Sequence, residues 1–524
     1  MYSKVQTGAI SGIDSLIATV EVDASNGMPG FEMVGMLSNE VREARERVKV
    51  ALKNTGIELP ASKITVSISP ADIRKEGASY DLPIAIGVLI SLGYIPEEEL
   101  KATLVIGELG LNGEIKAVKG VLPIVRQAKS QGFKRCILPK RNATEGAIIE
   151  GIEIIGVETL EQILAYLIQS EQEKQKLIPP AKATKVAWED ETFEVDFADI
   201  NGQEGVKRAV EVAAAGFHHI LMVGPPGSGK TMIAKRIPTI LPNLTMDESL
   251  EVSTIYSVAG MLDEQRVLMT QRPFLAPHHT ISEQALAGGG RVPKPGVISL
   301  AHRGVLFMDE LPEFRRNTIE ILRQPLEDKK IHIARTYGSF IYPADFMLVA
   351  AMNPCPCGYF PDRNKCTCSE NEIKKYLNRI SGPILDRIDV TIEAPRVDIG
   401  QLSATMQNES SGQIKARVMQ ARERQEHRYK EAGYAFNAQL RAGDIKRYCT
   451  LGEIEQELME QVFRQMNLSA RAYHKIIRVA RTIADLDGAE KIGAMHLSEA
   501  ICYRMNDAKY WNRQGNEMDN TSII

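Results

Sequence analysis

Long apolar runs, a surplus of charge of either sign and cysteine are what this 524-residue chain lacks. No stretch of about 18 uncharged apolar residues occurs, so neither a membrane-spanning helix nor a membrane partner is expected. No basic-then-apolar leader ending in a cleavage site opens the sequence, and the cytoplasm is the expected address. The 63 Lys and Arg nearly cancel the 67 Asp and Glu, leaving a net charge of −4. That balance excludes a global pull toward nucleic acid or an anionic surface, so any polyanion binding must come from a local patch or ring. Seven cysteines are too few for a disulfide framework at this length. The chain is also too long for one hydrophobic core, and about three domains are expected.

What is present begins with GPPGSGKT, made of Gly224, Pro225, Pro226, Gly227, Ser228, Gly229, Lys230 and Thr231. This G-x-x-x-x-G-K-[ST] spacing turns backbone N–H groups inward at phosphates and opens a helix whose N-terminus favours negative charge. The apolar run Ile220 to Val223 supplies the strand that must precede the loop. Lys230 reaches the outer phosphates of ATP and the Thr231 hydroxyl ligates Mg²⁺. The competing reading is a glycine turn that happens to carry a lysine. A second apolar run, Val305 to Met308, ends in Asp309 and Glu310. Asp309 would hold Mg²⁺, and Glu310 would take a proton from the attacking water, so hydrolysis is expected as well as binding. The bland alternative is that both begin a surface loop.

Cys355, Cys357, Cys366 and Cys368 cluster as two C-x-C pairs. In a cytosolic chain such a cluster reads as a metal site, and four thiolates favour tetrahedral Zn²⁺. The competing reading is a redox-inert loop. Cys136, Cys449 and Cys502 stand alone and read as small core residues.

Composition shifts near Gln169 to Lys185, where charged residues and prolines replace apolar periodicity, as in a linker. Boundaries follow at 1–168, a linker at 169–195, a core at 196–395 and a helical lid at 396–524. In the first unit, Ile64 to Ser69 alternates like a strand and Asp81 to Leu92 reads as a helix. Leu104 to Val118 reads as a hairpin turning at Asn112 and Gly113. After the linker, apolar runs at 219–223, 305–308, 346–351 and 388–392 alternate with helical segments, as a doubly covered parallel sheet requires. Lys415 to Lys430 and Ala470 to Leu486 read as amphipathic helices, the charges of the former as a solvated face.

GPPGSGKT, GVLFMDE, LVAAMNPCPCG and SGPILDRID together resemble an AAA+ ATPase, and RPFLAPHHT at 272–280 marks the magnesium-chelatase-like YifB/ComM family. The resemblance implies an α/β fold, with an AAA+ P-loop parallel-sheet core and a helical lid. It also implies a preceding α+β domain of the Lon-protease (ribosomal S5 domain 2-like) type. A ring, usually a homo-hexamer, is implied, with each ATP completed by the next subunit. In that ring Asn353 resembles sensor 1, Arg387 the arginine finger and Arg471 sensor 2. Whether Arg471 serves its own subunit or a neighbour stays open. A surface salt bridge and an exposed helix charge are the plain alternatives for the two arginines. In the Lon-like part, Ser79 falls near the nucleophile position, but apolar Val121 and Leu122 stand where the activating lysine belongs. A serine without a base is a poor nucleophile, so this domain is expected to be a non-proteolytic scaffold or DNA-facing collar, with Ser79 structural.

Two insertions bear on the substrate: GGGRVPKPG at 288–296 and the strand-turn-strand from Lys330 to Phe346. Arg291, Lys294, Lys329, Lys330 and Arg335 put positive charge there, which a ring would multiply into a channel for single-stranded or branched DNA. Tyr337 and Phe340 are placed to stack on bases or to pack inside. His278 and His279 read as loop-stabilising. The expected function is an ATP-driven DNA motor, a helicase or branch-migration factor in transformation or recombination. The alternatives are a chelatase-type subunit remodelling a partner protein and a nucleotide-switched DNA scaffold.

Overall fold

The computed structural model describes residues 1–184, 193–262, 266–335, 338–396, 408–466 and 468–511, with the backbone alone for 506–508. The first part is built on β1 (Tyr2–Ser11), β2 (Asp14–Ser25), β3 (Gly30–Val34), β4 (Lys63–Ser69), β5 (Thr103–Val105), β8 (Arg135–Pro139) and β9 (Glu153–Val157). They form a seven-stranded sheet in the order β3-β4-β2-β1-β5-β8-β9, in which only β2 runs against the rest. β4 is the alternating strand expected, with Ile64, Val66 and Ile68 turned inward. The helix Asp81–Ser91 is apolar all round and buried all round. Gly87 lets it sit against the sheet, since a Cβ there would lie 2.7 Å from Val22 Cγ2. Its first residue, Asp81, is buried and held by the Arg47 guanidinium at 2.7 and 2.8 Å.

The hairpin expected over Leu104 to Val118 is shorter than that span. Only β6 (Glu108–Leu109) and β7 (Ile115–Lys116) pair, and Leu104 belongs to β5 of the main sheet. The apolar run there is buried on both sides, which suits a central parallel strand better than a half-exposed hairpin arm. Part of the segment read as a linker is ordered structure. Helix Glu171–Leu177 docks through buried Lys174, paired with Glu99 and with Glu171 at 2.8 Å, and the Ala181 N–H donates to Ile154 O at 2.8 Å.

The strands of the second sheet are β10 (Ile220–Val223), β11 (Phe274–Leu275), β14 (Val305–Met308), β17 (Met347–Met352) and β18 (Val390–Glu393). They form a five-stranded sheet, parallel throughout, in the order β11-β14-β17-β10-β18. Alternate residues feed opposite cores. Ile220, Met222, Phe307 and Val349 join one cluster, and Leu221, Val223, Leu306 and Leu348 the other. Burial on both faces explains why these strands read as unbroken apolar runs. Two small hairpins project from this unit: β12 (Gly288–Gly289) with β13 (Lys294–Pro295), and β15 (Lys330–Arg335) with β16 (Gly338–Pro343).

Among the described residues no strand follows β18; helices Ser411–Tyr429, Glu453–Gln465, Ala470–Leu486 and Ala494–Trp511 dominate. The charges of Ser411–Tyr429 are not merely solvated. Arg417 pairs with Glu211 and Glu409, Arg428 with Asp485, and buried Arg422 lies 3.9 Å over the Phe436 ring. That helix packs on the P-loop unit through Ile414, Val418 and Ala421, so part of its flanking charge meets protein as well as water.

The two sheets are joined by helix Met246–Ala259, which lies against helix Val121–Ser130. Gly120 donates its N–H to Ser257 O at 3.1 Å, and Leu268 enters the cluster of Leu104, Ile106 and Val125. No helix among the described residues is long and apolar enough to cross a membrane.

Candidate active site

The phosphate loop leaves β10 and the helix Lys230–Ile240 begins at its end. Gly224 admits no side chain, because a Cβ would lie 2.2 Å from Ala394 O. Gly227 and Gly229 adopt φ of 76° and 78°, and a Cβ on either would meet nothing within 4 Å. The loop therefore wraps an open hollow in a backbone conformation that suits glycine. Lys230 is buried inside it. Its ammonium donates to Gly224 O at 2.7 Å and Pro225 O at 2.9 Å, and lies 3.3 Å from Asn353 Oδ1 at the end of β17. Burial pulls its pKa down to about 8, against the opposing pull of Asp309 and Glu310.

Thr231 Oγ1 donates to Asp309 Oδ2 at 2.5 Å. The two oxygens a magnesium ion would need are thus already side by side. Glu310 sits in the left-handed region (φ 51°), with its N–H on Asp309 Oδ1 at 2.9 Å and its carboxylate 57% exposed to the hollow's rim. Glycine cradle, buried ammonium, adjacent hydroxyl and carboxylate, and an exposed carboxylate fit ATP and Mg²⁺. Sheet order explains the gathering: β10, β17 and β14 are neighbours, so the residues leaving their C-terminal ends converge.

Two contributors were missed in the sequence. Gln203 donates from Nε2 to Ser228 O at 2.7 Å and to Pro395 O at 2.8 Å, while its buried Oε1 has no hydrogen-bond partner. Its two donated bonds tie the start of the unit to the phosphate loop and to the residues after β18. No local pattern marks it. His279, read only as stabilising its loop, brings Nδ1 to 3.6 Å from Glu310 Oε2 and stacks on His278 with ring centroids 4.1 Å apart. It follows β11, which pairs with β14, so RPFLAPHHT is carried to the glutamate by strand pairing.

Arg387 and Arg471 lie elsewhere, and together. Both donate to one carboxylate, Glu327, with Arg471 Nη2 at 3.1 Å from it. Arg387 is buried, gives a further bond to Pro383 O at 2.5 Å, and its Nε has no partner; Arg471 is exposed. The Glu327 carboxyl is held below its usual range, first by the hydrogen bond from Arg387. Arg387 precedes β18, whose first residue pairs with the first residue of β10, so it lies at the N-terminal end of the parallel strands. The phosphate loop lies at the other end, on the order of 13 Å away along the strands.

The four clustered cysteines do meet. Sγ of Cys355 lies 3.3 Å from that of Cys357 and 3.8 Å from that of Cys366, Cys357 and Cys366 are 3.6 Å apart, and all four lie within 4.8 Å. Of the isolated thiols, Cys136 and Cys449 are buried and pushed up to about 12, but Cys502 is exposed rather than in a core.

Arg291, Lys294, Lys330 and Arg335 are all exposed on the two small hairpins. The hairpins touch: Arg335 Nε donates to Gly290 O at 3.1 Å and Tyr342 OH to Pro293 O at 2.8 Å. Lys329 instead turns to Asp345 at 3.2 Å. Phe340 is partly buried against the core, and Tyr337 lies outside the described residues. Across a cavity of roughly 820 Å³ these hairpins face the first sheet unit, where Ser79 lines the opposite wall. Val121 and Leu122 are buried and apolar, and Lys75, also buried, donates to Ile73 O at 2.8 Å.

Family models agree with this architecture. The model for magnesium chelatase, subunit ChlI, matches residues 196–402, that for subunit ChlI of Mg-chelatase 20–142, and that for magnesium chelatase, subunit ChlI C-terminal, 408–504. The chain is 42% identical to YifB of Escherichia coli over 507 residues, covering 96% of this chain and 97% of that protein. The chain belongs to the magnesium-chelatase-like YifB/ComM family of AAA+ proteins. It is also 42% identical over 503 residues to the competence protein ComM of Haemophilus influenzae, covering 95% and 97% of the two chains. Lon protease 2 of Bacillus subtilis matches at 28% identity over 182 residues, 32% of each chain. The N-terminal part of this family member is Lon-like.

Proposed function

We propose that the protein hydrolyses ATP as a ring motor on DNA, a hexamer in which each nucleotide is held by one protomer and completed by the next. Support comes chiefly from the position of Arg387 and Arg471: paired on Glu327, at the opposite end of the sheet from their own phosphate loop, they serve a neighbour's ATP. In that arrangement Lys230 and the loop N–H groups bind the phosphates, and Thr231 and Asp309 hold Mg²⁺, which supplies charge neutralisation when bound. Asn353 orients water and Glu310 accepts its proton. His279 steadies that carboxylate, and Gln203 steadies the phosphate loop through Ser228 O. The two arginines of the adjoining protomer stabilise charge on the transferring phosphoryl group.

The exposed cations of the paired hairpins, repeated around a ring, would track a phosphate backbone despite the net negative chain. A relative described as a competence protein favours helicase or branch-migration work in transformation, with recombination or repair as the wider setting. The Lon-like part is a non-proteolytic scaffold or DNA-facing collar, because apolar Val121 and Leu122 stand where the activating lysine of that fold belongs. Four thiolates at these separations hold Zn²⁺. A chelatase-type subunit that drives a partner protein is the second reading, favoured by the ChlI family models.

The test mixes two inactive variants. Arg387→Ala and Lys230→Ala should each lose ATPase, and their mixture should regain part of it through rings with intact composite sites. An Arg387→Ala protein that turns over at the wild-type rate would overturn the shared site. Stimulation by single-stranded or forked DNA, with strand displacement, separates the DNA motor from the remodelling subunit.

A further inference from the structure

We infer that a thiophilic metal ion held by Cys355, Cys357, Cys366 and Cys368 braces the ATP site, gripping Asn353 from one side and the phosphate loop at Pro226 from the other. This rests on the reading of that hollow as an ATP site.

Four sulfurs around Zn²⁺ at about 2.3 Å form a tetrahedron with edges of about 3.8 Å. Three of the sulfur separations, 3.3, 3.6 and 3.8 Å, lie at or somewhat below that edge, and all four sulfurs lie within 4.8 Å of one another, close enough for one ion to draw them into such a cage. Cys355 is fully buried and its sulfur accepts the Phe360 N–H at 3.3 Å, the outer hydrogen bond that a thiolate ligand requires.

The cage touches the hollow at two points. Asn353 leaves the end of β17 only two residues before Cys355, and its Oδ1 lies 3.3 Å from Lys230 Nζ. Gly358, inside the cysteine loop, has φ 84° and lies so close to the phosphate loop that a Cβ would fall 2.3 Å from Pro226 Cδ. Its N–H closes a turn on Cys355 O at 3.0 Å. The loop also reaches the end of β18, where Tyr359 OH accepts from Arg396 at 3.0 Å. Residues 353–369 contain no helix or strand, so few backbone bonds hold them. A metal cross-link supplies the rigidity that such a loop lacks, and it does so where an angstrom decides whether a polar group meets a phosphate.

The experiment uses the full-length protein, purified under reducing conditions. Metal content should be close to one zinc per protomer. Dialysis against a chelator with reductant should lower kcat for ATP by about tenfold or more and weaken nucleotide binding, both restored by added zinc. In Asn353→Ala the same stripping should cost severalfold less in kcat than it does in the wild type, because part of the effect passes through that side chain, while nucleotide binding, braced through Pro226, should still weaken. Zinc below about half an equivalent would overturn the inference; so would kcat and nucleotide affinity unchanged after complete stripping, or full additivity with Asn353→Ala. Cys366→Ser and Cys368→Ser should behave like stripped protein. If either fails to fold, the reversible stripping, with circular dichroism as the control for fold, carries the test alone. Lys230→Ala checks the underlying reading separately. Wild-type turnover there removes the ATP site itself, whereas a dead Lys230→Ala beside an indifferent stripped protein removes only the brace.

Discussion

Lys230 makes a measurable demand on protons. Burial brings its pKa from 10.5 to about 8, and it spends its donors on Gly224 O and Pro225 O. Phosphates favour the charged ammonium and so raise that pKa again on binding. If it returns to about 10.5, the coupling is worth about 3.5 kcal/mol at about 1.4 kcal/mol per pH unit. At pH 8.5 roughly three quarters of empty sites would hold neutral lysine, against roughly a tenth at pH 7. Binding of ATP at pH 8.5 should therefore take up about 0.75 proton per site, and at pH 7 about 0.1. Affinity should fall as pH rises above 8, by up to about tenfold per unit. Titration calorimetry in two buffers of different ionisation heat reads the uptake directly, and the γ-phosphate is already ionised at that pH. Lys230→Arg should abolish the uptake, since a guanidinium stays charged. Uptake below about 0.2 proton at pH 8.5, with binding intact, would refute the buried-ammonium account.

Other expectations follow from single contacts. Gly358→Ala puts a Cβ onto Pro226 at positive φ, so thermal unfolding should show a loss of about 1–3 kcal/mol and calorimetry a weaker ATP affinity. Glu327→Ala frees both arginines from their shared carboxylate, and steady-state kinetics should show kcat falling severalfold while nucleotide Kd stays unchanged. Arg47→Leu leaves Asp81 buried without its counter-charge, which should cost about 3 kcal/mol or more at neutral pH. Burial already raises the Asp81 pKa, and loss of Arg47 raises it further. The deficit is therefore full above that pKa, and it should narrow in denaturant titrations as pH falls and the carboxyl is protonated. Replacing Arg291, Lys294, Lys330 or Arg335 by Ala should weaken DNA binding across sequences and reduce the salt slope by about one per lost phosphate contact.

Much of the nucleotide site was legible because its chemistry is local. Glycine spacing sets the loop, an apolar run sets the strand, and Asp309 with Glu310 ends another strand, so each piece declares itself within a few residues. The buried parallel strands were readable for the same reason, their two-sided burial being written as unbroken Val, Leu, Ile and Met. The shortened hairpin at β6 and β7, the docked helix inside the supposed linker and the protein-facing charges of Ser411–Tyr429 were not readable. Each depends on what packs opposite.

Sequence alone thus determined the reagents: a phosphate loop, an acidic strand end, clustered thiols and basic hairpins. Tertiary structure decided their neighbours. Strand order put Asn353 beside Lys230 and His279 beside Glu310, and it sent Arg387 to the far end of the sheet to share Glu327 with Arg471. Packing set the cysteine loop on Pro226 and tied Gln203 to the phosphate loop through Ser228 O. The physical reason is range: backbone geometry and hydrophobic periodicity act over a few residues, whereas a site assembled from separate strands exists only once their pairing has been fixed by burial.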